Sequence, residues 1–273
     1  SLEDCHFKAG KDLLSIYANN HPENSLFSNK NLRLGGSSEL YEDFNTKFGD
    51  LSAIMIENLP FWVEITTTPS KKVSLMSEWE SKLKAIVSVV KNEDVGSMTG
   101  VPSWMMVLLQ RTLADTGKET IAEIWPNLEV FFHGGISFKP YRDQYRKIIG
   151  KDINYYEIYN ASEGFFAIQD QPGSDEMLLM LDYGIFYEFI PMDAFDPDNL
   201  QAIPLEEVEI GKNYALVITT NSGLWRYLIG DTVKFTSLQP YRIKISGRTK
   251  HYINAFGEEL MIDNVETALS KAC

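Results

Sequence analysis

The stretch "INYYEIYNASEGFFAIQ", Ile153 to Gln169, decides the fold. An apolar, β-prone run ends on a tyrosine, a serine, a glutamate and a glycine within the six residues Tyr159 to Gly164, and more aromatic residues follow. Before this stretch, segments of helical spacing alternate with short apolar runs. "LEDCHFKAGKDLLSIYA", "FGDLSAIMIENLP", "SEWESKLKAIVSVVKN", "VPSWMMVLLQRTLADTGK" and "KPYRDQYRKIIG" read as helices, "NLRLGGSSE" and "LEVFFHGG" as strands. That alternation predicts an α/β architecture with a largely parallel sheet and flanking helices over residues 1–165. After the stretch, "EMLLMLDYGIFYEFIPM", "NYALVITTNSGLWRYLIGDTVKFTS" and "YRIKISGR" are β-prone runs with turn signals such as "NSG", while helical spacing is nearly gone until "NVETALSKA". An antiparallel β-barrel-like subdomain is therefore expected over 166–250, with "DAFDPDNLQAIPLEEVEIGK" as a surface loop.

With 273 residues, 44% hydrophobic and 23% charged, the chain can bury a sizeable core in one large domain or two. The net charge of −13 argues against a nucleic-acid partner, which calls for clustered Lys and Arg. The two cysteines, Cys5 and Cys273, form no disulfide framework and fit a reducing compartment. Every long apolar run carries charges or a glycine, so no membrane span or signal segment is expected, and the chain reads as cytoplasmic.

Four motifs can carry chemistry, and each has a plainer structural reading. In "LEVFFHGG", Gly134 and Gly135 end an apolar strand, where a flat ligand can approach the backbone, or where a strand simply turns into a helix. In "YNASEG", Tyr159 can offer a ring to a base, Ser162 a hydroxyl to a phosphate and Glu163 a carboxylate to Mg²⁺; alternatively Ser162 caps a helix and Glu163 lies in its first turn. In "LWRYLIGDTVKF", Gly230-Asp231 interrupts a strongly β-prone run, as a bulge that exposes a carboxylate able to accept from a ribose diol, or as an ordinary hairpin turn. In "ISGRTKHYINAFGEEL", Arg248 can pair with a phosphate or ribose oxygen, or belong to a charged surface hairpin.

Their order along the chain resembles the core of the adenylate-forming superfamily, which holds acyl-CoA synthetases, luciferases and peptide-synthetase adenylation domains. "YNASE" resembles its Tyr-Gly-x-Thr-Glu motif, "YLIGD" its Tyr-x-x-Gly-Asp motif and "GRTKHYINAFGEEL" its hinge, where Lys250 stands in place of the commoner Asp. "GVPSWMMVLLQR", "WPNLEVFFHGGISFKPYRDQY", "YNASEGFFAIQD" and "GLWRYLIGDTVKF" further resemble the auxin-responsive acyl-acid amido synthetases, in particular their bacterial homologues.

The resemblance implies an ATP- and Mg²⁺-dependent ligase that adenylates a carboxylic acid and transfers the acyl group to an amine such as an amino acid. It implies nucleotide contacts from His133, Gly134, Gly135, Tyr159, Asn160, Ala161, Ser162, Tyr227, Asp231 and Arg248, and a metal on Glu163. Ser162, Glu163, Arg248 and Lys250 would serve catalysis, Lys250 as the hinge, while Val101, Pro102, Phe138, Tyr141 and Phe165 would line the acyl pocket. An acyl-CoA ligase, or a nucleotide-binding piece without activity, are the alternatives. No Ser/Thr/Gly-rich phosphate loop precedes the first helix, and residues 251–273 would be a hinge and the first part of a small C-terminal domain, so the chain is expected to be the middle of a longer enzyme.

Overall fold

The computed structural model describes residues 2–35, 40–44, 46–249, 252–255 and 258–261. They group into two compact units, one of residues 17–158 and one of residues 1–16 together with 159–273. Helix α1 (Lys8–Asn20), entered through a π-helical turn at Leu2–Phe7, contributes to both.

The unit of residues 17–158 contains β1 (Lys30–Leu34), β2 (Leu40–Asp43), β3 (Thr46–Gly49), α2 (Leu51–Glu57), α3 (Phe61–Thr66), β4 (Thr67–Thr68), α4 (Lys71–Ser74), α5 (Trp79–Val90), β5 (Val95–Gly100), α6 (Pro102–Thr116), β6 (Val130–Gly134) and α7 (Arg142–Ile149). Its last strand is β7 (Asn154–Ala161). Strands run in the order β4-β1-β5-β6-β7, every pair parallel. Because strand side chains alternate, Leu32, Leu34, Met98 and Phe131 share one face and bury against Ile86, Leu109, Trp125 and Tyr145. Each such side chain stabilises the fold by roughly 1.5–3 kcal/mol. The helices that cover this face begin and end where their sequences dictate. The Glu78 carboxylate accepts from the amides of Glu80 and Ser81 at the start of α5. Pro102 opens α6, and Gly117, at φ 67°, closes it in the left-handed conformation. The indole of Trp125 donates to the Val90 carbonyl at 2.9 Å, and Tyr145 Oη donates to the Pro102 carbonyl at 2.7 Å.

The other unit adds β8 (Gly164–Ile168), β9 (Met177–Leu179), β10 (Ile185–Pro191), β11 (Ile203–Pro204), β12 (Asn213–Thr220), β13 (Tyr227–Leu238), β14 (Tyr241–Arg248), β15 (Tyr252–Ala255) and β16 (Glu258–Met261). The order β8-β9-β14-β13-β12-β10-β11 is antiparallel throughout, and β15 pairs with β16 alone. The aromatic rings of Phe166, Tyr187, Phe189, Tyr214 and Phe235 contact one another in sequence through its interior, mostly edge to face. The parallel-then-antiparallel division expected from the sequence is thus present. The expected loop at 193–212 contains β11 and a short 3-10 turn, Leu205–Glu207. The expected helix over "NVETALSKA" lies outside the described residues.

Candidate nucleotide site

The turn that opened the sequence analysis joins two strands. Ser162 and Glu163 form a two-residue turn between β7 and β8, so the helix-cap reading does not hold. Ser162 is exposed and Glu163 partly so, which leaves both polar groups accessible. Among the described residues no group of three or more His, Cys, Asp or Glu converges on a metal site. One carboxylate at an accessible turn nonetheless fits a magnesium ion that arrives with phosphates, since such ions commonly take one or two protein carboxylates and fill the rest with phosphate and water.

Tyr159, three residues before Ser162, is only 4% exposed. Its ring packs on Phe166 with centroids 4.8 Å apart, and its Oη donates to Asp231 Oδ2 at 2.8 Å. Burial, reinforced by the Asp231 charge, pushes the phenol pKa well above 10, so the group stays a donor. The ring expected beneath a base is therefore largely covered, and the contact it visibly makes is the hold on Asp231.

Asp231 is displayed by a bulge, as anticipated. Ala215 of β12 faces Thr232 and Val217 faces Leu228, so Ile229, Gly230 and Asp231 stand opposite the single residue Leu216. Gly230 has φ 90°, a conformation that L side chains rarely adopt, and the Thr249 amide ties its carbonyl down at 2.8 Å. The second Asp231 oxygen pairs with Arg248 Nε at 3.1 Å across the β13–β14 register. A carboxylate offers about four acceptor positions. Tyr159 and Arg248 occupy two, and two remain for a diol. Arg248 is about half exposed, so its remaining N–H groups are available. Tyr227, at the start of β13, is exposed. Asn160 and Ala161 end β7, both partly buried.

In the other unit, His133 is 3% exposed and its ring stacks on Phe138 at 4.3 Å. Burial, with the Arg142 charge adding to it, lowers its pKa to about 3, so the imidazole is neutral, and its Nδ1 has no hydrogen-bond partner. Gly134 is required by packing, because a Cβ there would lie 2.4 Å from the Ile158 carbonyl. Gly135, at φ 84°, is exposed.

Two of the residues expected at the acyl pocket are buried among core neighbours. Phe138 is buried among Phe131, His133, Tyr145 and Tyr155. Phe165 is buried in the second unit, where its amide donates to Cys5 Sγ at 3.2 Å. Both are core residues, because aromatic side chains on strand ends and 3-10 turns bury whenever a helix or strand covers them. Pro102 is likewise buried as the first residue of α6, whereas Val101 and Tyr141 are only partly buried. Lys250 lies outside the described residues. The Tyr159–Asp231 bond, between groups 72 residues apart, carried no sequence signal.

The GH3 family N-terminal domain model matches residues 3–153, and the GH3 family central domain model matches residues 178–248. The chain belongs to the GH3 family. It is 31% identical over 123 residues to the indole-3-acetic acid-amido synthetase GH3.3 of Arabidopsis thaliana, covering 42% of this chain and 20% of that protein. It is 32% identical over 124 residues to the jasmonoyl-L-amino acid synthetase JAR4 of Nicotiana attenuata, covering 42% and 21%. Among solved structures, a GH3.15 acyl acid amido synthetase superposes with a TM-score of 0.79 at 13% identity, over 100% of this chain and 58% of its own. A 2-hydroxyisobutyryl-CoA ligase superposes at 0.59 with 15% identity, over 89% and 48%. The two superpositions establish a shared fold. The part of this GH3 chain that aligns with these curated relatives covers about a fifth of their length. No helix among its described residues is long and apolar enough to cross a membrane.

Proposed function

We propose that this chain handles the nucleotide in an ATP-dependent acyl-acid amido synthetase. The observation that carries the reading is the carboxylate of Asp231, set on a glycine bulge and gripped by Tyr159 and Arg248, beside family membership. In the first half-reaction a carboxylate oxygen of the acid attacks the α-phosphorus of ATP. The P–O bond to pyrophosphate breaks and an acyl-adenylate forms. In the second, an amine nitrogen attacks the acyl carbon, the C–O bond to AMP breaks, and the nitrogen gives up a proton as the amide forms. Adenylation replaces a poor leaving group by a good one, which leaves positioning and charge neutralisation to the protein.

In this scheme the two free acceptor positions of Asp231 bind the ribose hydroxyls, and Tyr159 fixes the carboxylate's orientation. Arg248 donates to a ribose or phosphate oxygen, and the Ser162 hydroxyl donates to the α-phosphate. Glu163 is the residue that would hold Mg²⁺, which when bound neutralises phosphate charge. The relatives named for indole-3-acetic acid and jasmonoyl-amino acid synthesis support a carboxylic acid and an amino acid as the pair joined.

The test is acid-dependent exchange of labelled pyrophosphate into ATP, run over a panel of carboxylic acids on protein expressed from the full coding sequence. Products are then analysed with amino acids or CoA supplied. Exchange followed by amide formation is expected. Thioester formation with CoA would assign the protein to the CoA-ligase branch instead, and absence of exchange with every acid would reject adenylation.

A further inference from the structure

Three neighbouring strands of the parallel sheet, β4, β1 and β5, begin at the same end, and a groove of about 340 Å³ opens among the segments that lead into them. Residues 27–30 lead into β1, Ile65 and Thr66 end α3 just before β4, and Glu93 and Asp94 join α5 to β5. Lys30 ties the three together: its amide donates to the Asp94 carbonyl at 2.8 Å and its Nζ to the Ile65 carbonyl at 2.6 Å. Gly134 and Gly135 sit at the other end of the same sheet, where β6 finishes. Strands of five or six residues span about 17–20 Å, which is the separation of the groove from the glycine pair.

The groove holds one charge of each sign with bonding capacity left over. Glu93 is partly buried, and its Oε2 is enclosed with no hydrogen-bond partner among the described residues. A covered carboxylate oxygen without a donor is costly, so the site favours a ligand that brings one. Among the described residues, the Ile65 carbonyl takes one of the three N–H donors of Lys30, and two remain. Nearby polar groups are engaged elsewhere. Asp94 accepts from Asn127 Nδ2 at 3.0 and 3.1 Å, and the Thr66 hydroxyl donates to the carbonyls of Trp62 and Val63. Phe27 and Ile65 complete the lining as apolar walls, 63% and 54% exposed, which gain by being covered.

We infer that this groove binds a free α-amino acid with an apolar side chain. The ammonium pairs with Glu93, the carboxylate pairs with Lys30, and the side chain covers Phe27 and Ile65. Both pairs are charge-assisted hydrogen bonds, the stronger kind. An amine without a carboxylate would bring a second cation beside Lys30, and a carboxylate without an amine would leave the Glu93 oxygen unpaired. The volume lies at the lower end of small-ligand sites, as one amino acid requires. The inference goes beyond the amido-synthetase reading and does not rest on it, because occupancy needs neither nucleotide nor turnover.

The experiment is calorimetric titration of L-leucine into the protein without nucleotide. Isopentylamine, which lacks the carboxylate, and 4-methylpentanoate, which lacks the ammonium, are titrated in parallel. Leucine should bind saturably, and each analogue should bind about tenfold or more weakly, the effect of one lost charge-assisted hydrogen bond. Glu93→Gln and Lys30→Gln should each weaken leucine by a similar factor, with circular dichroism unchanged. Ile65→Ser alters an exposed side chain, so it should fold as wild type does and bind leucine several-fold more weakly. Four results would each overturn the inference: no saturable binding of leucine to wild type at millimolar concentration, undiminished affinity in any of the three variants, an analogue that binds as tightly as leucine, or a Glu93→Gln protein that fails to fold. The last would mean that Glu93 is held by groups of the chain itself.

Discussion

Tyr159 Oη donates to Asp231 Oδ2 at 2.8 Å, joining the end of β7 to the bulge of β13. Arg248 holds the other oxygen, so the carboxylate is oriented from two sides before any ligand arrives. Preorganisation of this kind lowers the ordering cost of binding. Tyr159→Phe tests its worth. It removes one buried hydrogen bond to a charged acceptor and should cost about 1.5–3 kcal/mol of stability. AMP affinity should fall with it, by less than removal of the carboxylate itself causes. Denaturant unfolding and AMP calorimetry read the two effects, and an unchanged denaturation midpoint would contradict the pairing.

Glu163→Gln keeps the turn and its size while removing the negative charge. Pyrophosphate exchange by this variant should need several-fold more Mg²⁺ for half-maximal rate, with little change in folding. A Mg²⁺ titration that superposes on wild type would remove Glu163 from metal binding.

His133 sets a pH dependence whose sign is fixed by burial. Its pKa is held at about 3, below the ordinary 6.5 that it regains on unfolding. Between those values the unfolded chain binds more protons than the folded one, so the folded state is fully favoured above about pH 6.5 and loses stability as the pH falls. Buried His6, also lowered by burial, adds to the same trend. His133→Phe, which keeps an aromatic ring against Phe138, should reduce the stability lost between pH 7 and pH 4.5 by about 1–3 kcal/mol. An identical loss in both proteins would show that His133 is not the group that titrates on unfolding.

Gly134→Ala and Gly117→Ala separate two uses of glycine. At 134 a methyl group would sit 2.4 Å from the Ile158 carbonyl and push β6 from β7, costing about 1–3 kcal/mol. At 117 there is open space and only the left-handed φ to oppose it, costing about 1 kcal/mol. Equal destabilisation of the two variants would argue against close strand packing at Gly134.

Much of this was legible in the residues because local rules and the tertiary fold agree. Pro102 and Gly117 mark the ends of α6, alternation from Leu32 to Leu34 marks a strand with one buried face, and Gly230 interrupting a β-prone run marks the bulge. What escaped has no local signature. The hairpin of β2 and β3 and the two-residue strand β4 are too short to show a period, and their pairing is decided by neighbours distant in sequence. Phe138 and Phe165 read equally well as pocket or core, since aromatic character alone does not say which neighbours close over a ring. The grip of Tyr159 on Asp231 is likewise a property of assembled strands, invisible residue by residue.

The central claim is that Asp231 receives the nucleotide's ribose, and calorimetric titration of AMP into wild type and Asp231→Asn tests it most directly. Asparagine preserves size and one acceptor for Tyr159, but it removes the charge and half of the acceptor capacity. The account predicts affinity weaker by about 10- to 150-fold, the span of a lost charge-assisted hydrogen bond, with circular dichroism unchanged. AMP affinity equal to wild type in a folded Asp231→Asn protein would contradict it.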